Sequence, residues 1–261
     1  MNQPLQHIVL IGSGNLATQL GLALHRRGLH IVQVYSRTEQ SAKTLAEQLN
    51  AEFTTNLAQL VPTADLYIYA LKDDVLAEVI NTVSVTQGLH VHTAGSMPMT
   101  IFAEKQRNYG VLYPLQTFSK QKLVDFTEIP IFISANSTEN SDKLTVISQK
   151  ITNKVFTTTD EQREYIHLSG VFACNFTNYL YAIAEKLLAE QNLPFDLLTP
   201  LITETLEKAN KLSPSKSQTG PAQRGDQVVI NKHMQLLEQH PEWQAIYKQL
   251  TQSIEQTKTI K

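Results

Sequence analysis

The chain has 261 residues, 42% of them hydrophobic, and its 22 basic and 24 acidic side chains leave a net charge of -2. That length allows one large or two smaller domains with a proper core, and the absence of a basic excess argues against nucleic acid or an anionic membrane as the main partner. A single cysteine, Cys174, excludes an internal disulfide framework and fits a reducing compartment. The N-terminal apolar run is too short to span a bilayer and has no signal-peptide pattern, so the expectation is a soluble cytoplasmic protein.

In chain order, a strand at Ile8–Ile11 is followed by a helix with Leu16, Leu20 and Leu24 on one face. A strand at His30–Tyr35, a helix over Glu39–Leu49 and a short strand near Glu52–Thr54 come next. Leu66–Leu71 reads as a strand, Asp74 opens a helix, and Leu89–His92 is a further strand. Three more strands fall at Gly110–Leu115, Ile129–Ser134 and Val155–Thr158, with a helix between the last two. This alternation predicts an α/β fold of Rossmann type, a doubly wound and mostly parallel sheet over residues 1–158. From Thr159 the character changes. A long helix runs to about Gln191 with Phe172, Phe176, Tyr179, Ile183 and Leu187 as an apolar stripe. A second helix spans Asp196 to about Leu212, a polar loop covers Ser213–Gly225, Asp226 caps a third helix and Pro241 begins a fourth. Residues 159–261 therefore read as an all-α C-terminal domain.

Between the first strand and its helix lies Gly12-Ser13-Gly14-Asn15-Leu16-Ala17, a Gly-x-Gly-x-x-Ala pattern. The first glycine permits the tight turn and the second lets a pyrophosphate approach the backbone. The small Ala17 allows close helix-sheet packing while the helix N-terminus faces the phosphates. An NAD-preferring domain usually ends its second strand with a carboxylate for the ribose 2′-hydroxyl; this chain has Ser36-Arg37-Thr38. A guanidinium and two hydroxyls suit a 2′-phosphate, so NADP(H) is preferred, although Arg37 can also be read as a solvated helix-start residue.

In an open α/β sheet, ligands sit beyond the carboxyl ends of the strands. Leu71-Lys72-Asp73-Asp74 should line the cofactor there, with Asp73 or Asp74 expected to cap the next helix. His92-Thr93-Ala94-Gly95-Ser96 falls where a nicotinamide would lie, and His92 and Ser96 could donate to a carbonyl or carboxylate; the bland alternative is a buried His92 satisfied by a backbone carbonyl. Tyr113 to Ser119 brings a phenol, an amide and hydroxyls to the same rim. A metal at His90 and His92 is disfavoured for want of a third ligand, and a serine hydrolase at Ser96 lacks the nucleophile elbow. On the long helix His167, Asn175 and Asn178 fall within about 80° of one another. That polar strip either faces the cleft or is simply solvated. Arg224, in the turn-rich Thr219–Asp226 loop, could clamp a substrate carboxylate or pair with an acid.

Taken together, Gly12–Ala17, Ser36-Arg37, Ala70–Asp74, His92–Ser96, Pro114–Phe118 and above all Thr219–Asp226 resemble a family of Rossmann-like NADP oxidoreductases with a C-terminal helical domain of unknown function. The family is similar at a distance to pyrroline-5-carboxylate reductase, ketopantoate reductase and the β-hydroxyacid dehydrogenases. The resemblance implies NADP(H) binding through Gly12, Ser13, Gly14, Asn15, Leu16, Ser36, Arg37, Leu71, Lys72 and Thr93, and a homodimer built through the helical domains. It supplies no substrate. Where the dehydrogenases have a lysine four residues before the asparagine matched by Asn175, this chain has Val171, and Tyr113 replaces a histidine common in the family.

The expectation is an NADP(H)-dependent oxidoreductase reducing a small carbonyl or imine between the two domains. His92, His167 or Tyr113 would orient the substrate or supply the proton, because a histidine's unperturbed pKa lies near neutrality, and Asn175 and Arg224 would hold the substrate's polar groups. The alternatives are a non-catalytic NADP(H)-binding sensor or partner-binding dimer and, less favoured, a protein for a nucleotide-sugar or other dinucleotide-like ligand.

Overall fold

The computed structural model describes residues 5–84 and 86–257, which divide into two compact units, Met1–Ala173 and Cys174–Lys261. In the first unit β1 (His7–Ile11), α1 (Asn15–Arg26), β2 (His30–Tyr35), α2 (Glu39–Leu49) and β3 (Glu52–Thr54) form the opening β-α-β-α-β run. The chain continues through β4 (Leu66–Tyr69), α3 (Asp73–Thr82), β5 (Leu89–His92) and β6 (Asn108–Pro114). It closes with β7 (Ile131–Ala135), α4 (Thr138–Gln149), β8 (Val155–Thr157) and α5 (Asp160–Gly170). The eight strands lie side by side in the order β3-β2-β1-β4-β5-β6-β7-β8. Among the described residues only β6 and β7 pair antiparallel, because residues 115–130 join them without the crossover helix that a parallel pair needs.

Both faces of the sheet are covered, and this explains the unbroken apolar strands. In β1, Ile8 and Leu10 join a core with Leu20, Leu24, Leu45 and Leu49 of α1 and α2, while Val9 and Ile11 point into the opposite core with Leu76 and Ile80 of α3. Each fully buried aliphatic chain contributes about 1.5–3 kcal/mol relative to exposure. Ala17 is completely buried, as the close approach of α1 to the sheet requires.

The helical run begun by α5 passes through a π turn, Val171–Phe176, into α6 (Thr177–Ala189). The unit boundary thus falls within the run, later than the change of sequence character at Thr159, since Arg163 of α5 is fully buried against the first unit. A 3-10 turn at Phe195–Leu198 leads into α7 (Thr199–Leu212). The polar loop expected over Ser213–Gly225 contains two single-turn helices, α8 (Pro214–Ser217) and α9 (Pro221–Arg224), each begun by a proline. Asp226 accepts from the Val229 N–H at 3.2 Å and caps α10 (Gln227–Leu236), and α11 (Pro241–Gln256) follows. Ala222, Ile230, Leu237 and Trp243 are buried here, whereas α6 and α7 bury no residue. Among the described residues no helix is long and apolar enough to cross a membrane.

Two histidines of β5 are held neutral in the first unit. His90 stacks on Tyr67 at 4.4 Å, with its ring nitrogens 3.0 Å from the Tyr69 hydroxyl and 2.8 Å from the Thr86 hydroxyl. Burial lowers its pKa to about 3, and burial, then the Arg163 charge, lowers that of His92 to about 4. Below pH about 6.5 the unfolded chain takes up protons that the folded chain refuses until pH 3–4, so stability falls as pH falls through that window. Each residue should contribute a slope approaching about 1.4 kcal/mol per pH unit. Urea midpoints taken between pH 7 and pH 4 test this, and His90→Gln or His92→Gln should flatten the dependence even where it lowers stability at neutral pH.

Candidate active site

Beyond the carboxyl ends of β1, β2 and β4 lies a cavity of about 590 Å³ lined by Gly12, Gly14, Ser36, Arg37, Leu71 and Lys72 among others. Its floor is a steric pinch. Gly12 has φ +122°, and a Cβ there would lie 2.3 Å from the Ala70 carbonyl oxygen. Gly14 is the N-cap of α1 and has no side chain with which to cap it; a Cβ there would meet nothing within 4 Å. Uncapped first-turn N–H groups beside open space fit a pyrophosphate. Ser13 Oγ donates to Ser36 Oγ at 2.8 Å, which ties the glycine loop to the end of β2, and Arg37 beyond it is exposed. On the opposite wall Lys72 is exposed, while Asp74 and Glu78 of α3 add negative charge.

Asn15 and Leu16 differ in how they can serve this end. The Asn15 side chain donates to the Phe118 carbonyl at 2.9 Å, and Gln19 one turn later binds the carbonyls of Ser119 and Lys122. The side chain of Asn15 thus holds the loop after β6, leaving its backbone N–H and one amide N–H for an anion. Leu16 packs against the core.

The second end of the site lies beyond β5 and β6. Thr93 is buried and binds the Tyr69 carbonyl through both its N–H and its hydroxyl. Tyr113, at the end of β6 and 9% exposed, places its hydroxyl 3.0 Å from His167 Nδ1 on α5. The His167 ring lies against Gly95 so closely that a Cβ on the glycine would sit 2.6 Å from Nδ1. Here Gly95 admits a histidine rather than a ligand. Burial raises the Tyr113 pKa, Arg163 opposes this and Asp73 adds to it, so the phenol keeps its proton at neutral pH.

His92, expected as a donor to substrate, has a different place. It is 0% exposed; Nδ1 accepts from the Ala94 N–H at 3.2 Å and Nε2 donates to the Pro98 carbonyl at 3.4 Å. Both nitrogens are occupied in shaping the loop that follows β5. Asp73, expected as a helix cap, instead accepts a hydrogen bond from Ser96, and Lys72 is the N-cap of α3. Asn175 lies in the π turn and Arg224 ends α9, where it is exposed and 4.0 Å from Asp226. Both belong to the second unit, so the first unit brings together His92, Thr93, Tyr113 and His167. Among the described residues no group of three or more His, Cys, Asp or Glu side chains could hold a metal.

Sequence reasoning missed Arg163. It is fully buried, with Nη1 2.7 Å from Asp160 Oδ1 and 3.2 Å from Ser134 Oγ, and Nη2 donates to the Met97 carbonyl. Asp160 Oδ2 in turn accepts from the Met99 N–H at 3.1 Å. The i, i+3 spacing of Asp160 and Arg163, directly behind the Thr159–Gln162 capping box, was the available signal.

The glycine loop, strand order and crevice together define a dinucleotide-binding oxidoreductase fold. Comparison narrows this. Residues 7–93 match the family described as NADP oxidoreductase, coenzyme F420-dependent, and residues 129–254 match a domain of unknown function, DUF2520. A "putative NADP oxidoreductase" from Bacteroides fragilis is 49% identical, over 96% of this chain and 98% of that one, with a TM-score of 0.89. The chain belongs to this family of NADP oxidoreductases with a DUF2520 C-terminal domain. At the level of fold alone, a reductive aminase from Aspergillus terreus, solved with NADPH4, cyclohexanone and allyl amine, aligns with a TM-score of 0.74 and 14% identity over 95% of this chain and 93% of that one. A pyrroline-5-carboxylate reductase from Coxiella burnetii aligns with a TM-score of 0.57 and 18% identity over 98% of each chain. A glutamyl-tRNA reductase from Methanococcoides burtonii is 34% identical over 84 residues, 29% of this chain and only 20% of that protein's length.

The pinch at Gly12 generates a direct test. Gly12→Ala should weaken cofactor binding at least about tenfold, about 1.4 kcal/mol, because the loop must move to relieve the contact with Ala70. Fluorescence titration checks this, with thermal melting as the control for global unfolding.

Proposed function

We propose that the chain is an NADP(H)-dependent reductase of a small carbonyl or imine compound, with Tyr113 as the proton donor and His167 as its partner. The observation that carries this reading is the 3.0 Å pairing of the Tyr113 hydroxyl with His167 Nδ1, beside the loop that follows β5 in a dinucleotide-binding fold. The cofactor phosphates would be held by the uncapped N-terminus of α1 with Ser13, Ser36, Arg37 and Lys72, and the 2′-phosphate by Arg37 with Ser36. When bound, the cofactor supplies hydride to the substrate carbon. Tyr113 donates its hydroxyl proton to the oxygen or nitrogen of the substrate double bond, and His167, donating from Nδ1, restores the phenol. The exposed His167 ring takes up a replacement proton from water, so that the proton consumed with the hydride comes from solvent. His92 is a positioning residue for the Thr93–Pro98 loop.

The functional unit on this reading is a homodimer. Neither α6 nor α7 buries a residue, and Tyr179, Leu197, Leu201 and Leu206 are each more than half exposed. Apolar helix surface of that extent is covered in a stable protein, and a second copy through the helical unit is the occupant implied by the family resemblance. Sedimentation should give twice the chain mass, and Leu201→Glu with Leu206→Glu should give monomer; a monomeric wild-type protein overturns this part.

To test the function, the protein freed of carried-over nucleotide is titrated with NADPH and NADH in parallel. NADPH should bind at least about tenfold more tightly, about 1.4 kcal/mol, and Arg37→Ala should remove most of the preference. In a screen of small ketones, aldehydes and imines, Tyr113→Phe should lower kcat by about 10²–10⁴ while NADPH affinity stays unchanged. Tight NADPH binding with no oxidation by any substrate favours the sensor reading suggested by Val171, and failure of both cofactors to bind ends the oxidoreductase reading.

A further inference from the structure

The reaction end carries one carboxylate that the proposed chemistry does not use. Asp73 opens α3 directly after the β4 loop, and its carboxylate accepts the Ser96 hydroxyl rather than capping the helix. Ser96 follows Gly95, on which His167 packs, and His167 in turn meets Tyr113. Asp73, Ser96, Gly95, His167 and Tyr113 are thus linked by successive contacts along one rim. The Asp73 charge adds, as the smallest of the named contributions, to the upward push on the Tyr113 phenol.

The charges at this rim do not cancel. Arg163 and Asp160 form a close pair at 2.7 Å and neutralise each other. Lys72 precedes Asp73 but lines the nucleotide cavity, and among the described residues Asp73 has no ion-pair partner. The exposed Asp73 carboxylate, hydrogen-bonded to a neutral hydroxyl, lies at the open end of the rim that runs through Ser96 and Gly95 to His167 and Tyr113.

We propose that the Asp73–Ser96 pair makes this site selective for a substrate whose reacting group is cationic, a protonated imine, over a neutral carbonyl of the same shape. The inference rests on the reductase reading above. A protonated imine brings its own proton, so hydride addition to carbon forms the C–H bond while the C=N π electrons become the nitrogen lone pair. The neutral amine formed then takes a proton from water. A carbonyl has no charge for Asp73 to hold, and it needs the Tyr113 proton as its oxygen becomes a hydroxyl. The carboxylate also repels substrates with an acid group beside the reacting carbon.

The test uses the NADPH complex of the full chain with two unreactive product-shaped probes, piperidine, which is an ammonium ion at neutral pH, and cyclohexanol. Binding is read from the change in NADPH fluorescence. Piperidine should bind at least about tenfold more tightly than cyclohexanol, about 1.4 kcal/mol, and Asp73→Asn should abolish the difference. The isosteric amide keeps an acceptor for Ser96 and should leave both the NADPH affinity and the melting temperature unchanged. As a second readout, Tyr113→Phe should depress reduction of cyclohexanone more than reduction of the cyclic imine of the same ring size. Equal binding of the two probes, no binding of piperidine, or a preference that survives Asp73→Asn overturns the inference. Failure of NADPH itself to bind overturns the underlying reductase reading instead, and the two failures are read from separate titrations.

Discussion

The geometry of the reaction end depends on one buried cation. Helix α5 begins with Asp160, Glu161 and Gln162 and continues with Glu164, so little apolar surface in its first turns can hold it to the sheet. Arg163 does so instead, its guanidinium reaching Asp160, Ser134 of β7 and the Met97 carbonyl. A lysine could not replace this fork, because the three acceptors lie in different directions around one planar group. Removing one partner of a buried pair typically costs about 3–5 kcal/mol, through the charge left unsatisfied more than through the bond lost. His167 lies four residues on from Arg163 and therefore on the same helix face, so the anchor also sets the imidazole over Gly95.

The sheet then separates two kinds of chemistry along its carboxyl edge. The ends of β1, β2 and β4 supply glycine backbone, hydroxyls, Arg37 and Lys72, all suited to phosphate. The ends of β5 and β6 supply Thr93, Ser96 and Tyr113, joined by His167 and a lone carboxylate. The two regions meet at the start of α3, where Lys72 lines the nucleotide cavity and Asp73 turns to Ser96. Thr93, bound to the Tyr69 carbonyl, couples the loop after β5 to β4 and keeps the two regions in register.

Much of this was legible because local rules govern it. The glycine loop, the strand at His30–Tyr35 and the helix at Glu39–Leu49 follow from turn chemistry and periodicity, and the structure has both elements at those bounds. The roles of polar side chains were less legible. Period-two alternation puts His90 and His92 on one side of β5, but when both faces of a sheet are covered the pattern cannot say whether that side is open or packed. Asp73 looked like a helix cap because capping is local, whereas its partner is 23 residues away. For Arg163 the local spacing to Asp160 was readable, but its burial was not, because its other acceptors lie 29 and 66 residues away. Nor could helical periodicity anticipate the π turn at Val171–Phe176, which breaks the phase on which the strip of His167, Asn175 and Asn178 was drawn.

The two departures from the relatives' patterns bear on one another. By the family resemblance, Val171 stands where the dehydrogenases have a lysine, and Tyr113 where the family often has a histidine. Either change alone would remove an acid from the site. The phenol of Tyr113, however, is held in its protonated form by burial and meets an imidazole that reaches water. In the proposed mechanism the proton donor moves from the π turn to the end of β6, and its partner His167 sits on α5, the helix that Arg163 anchors.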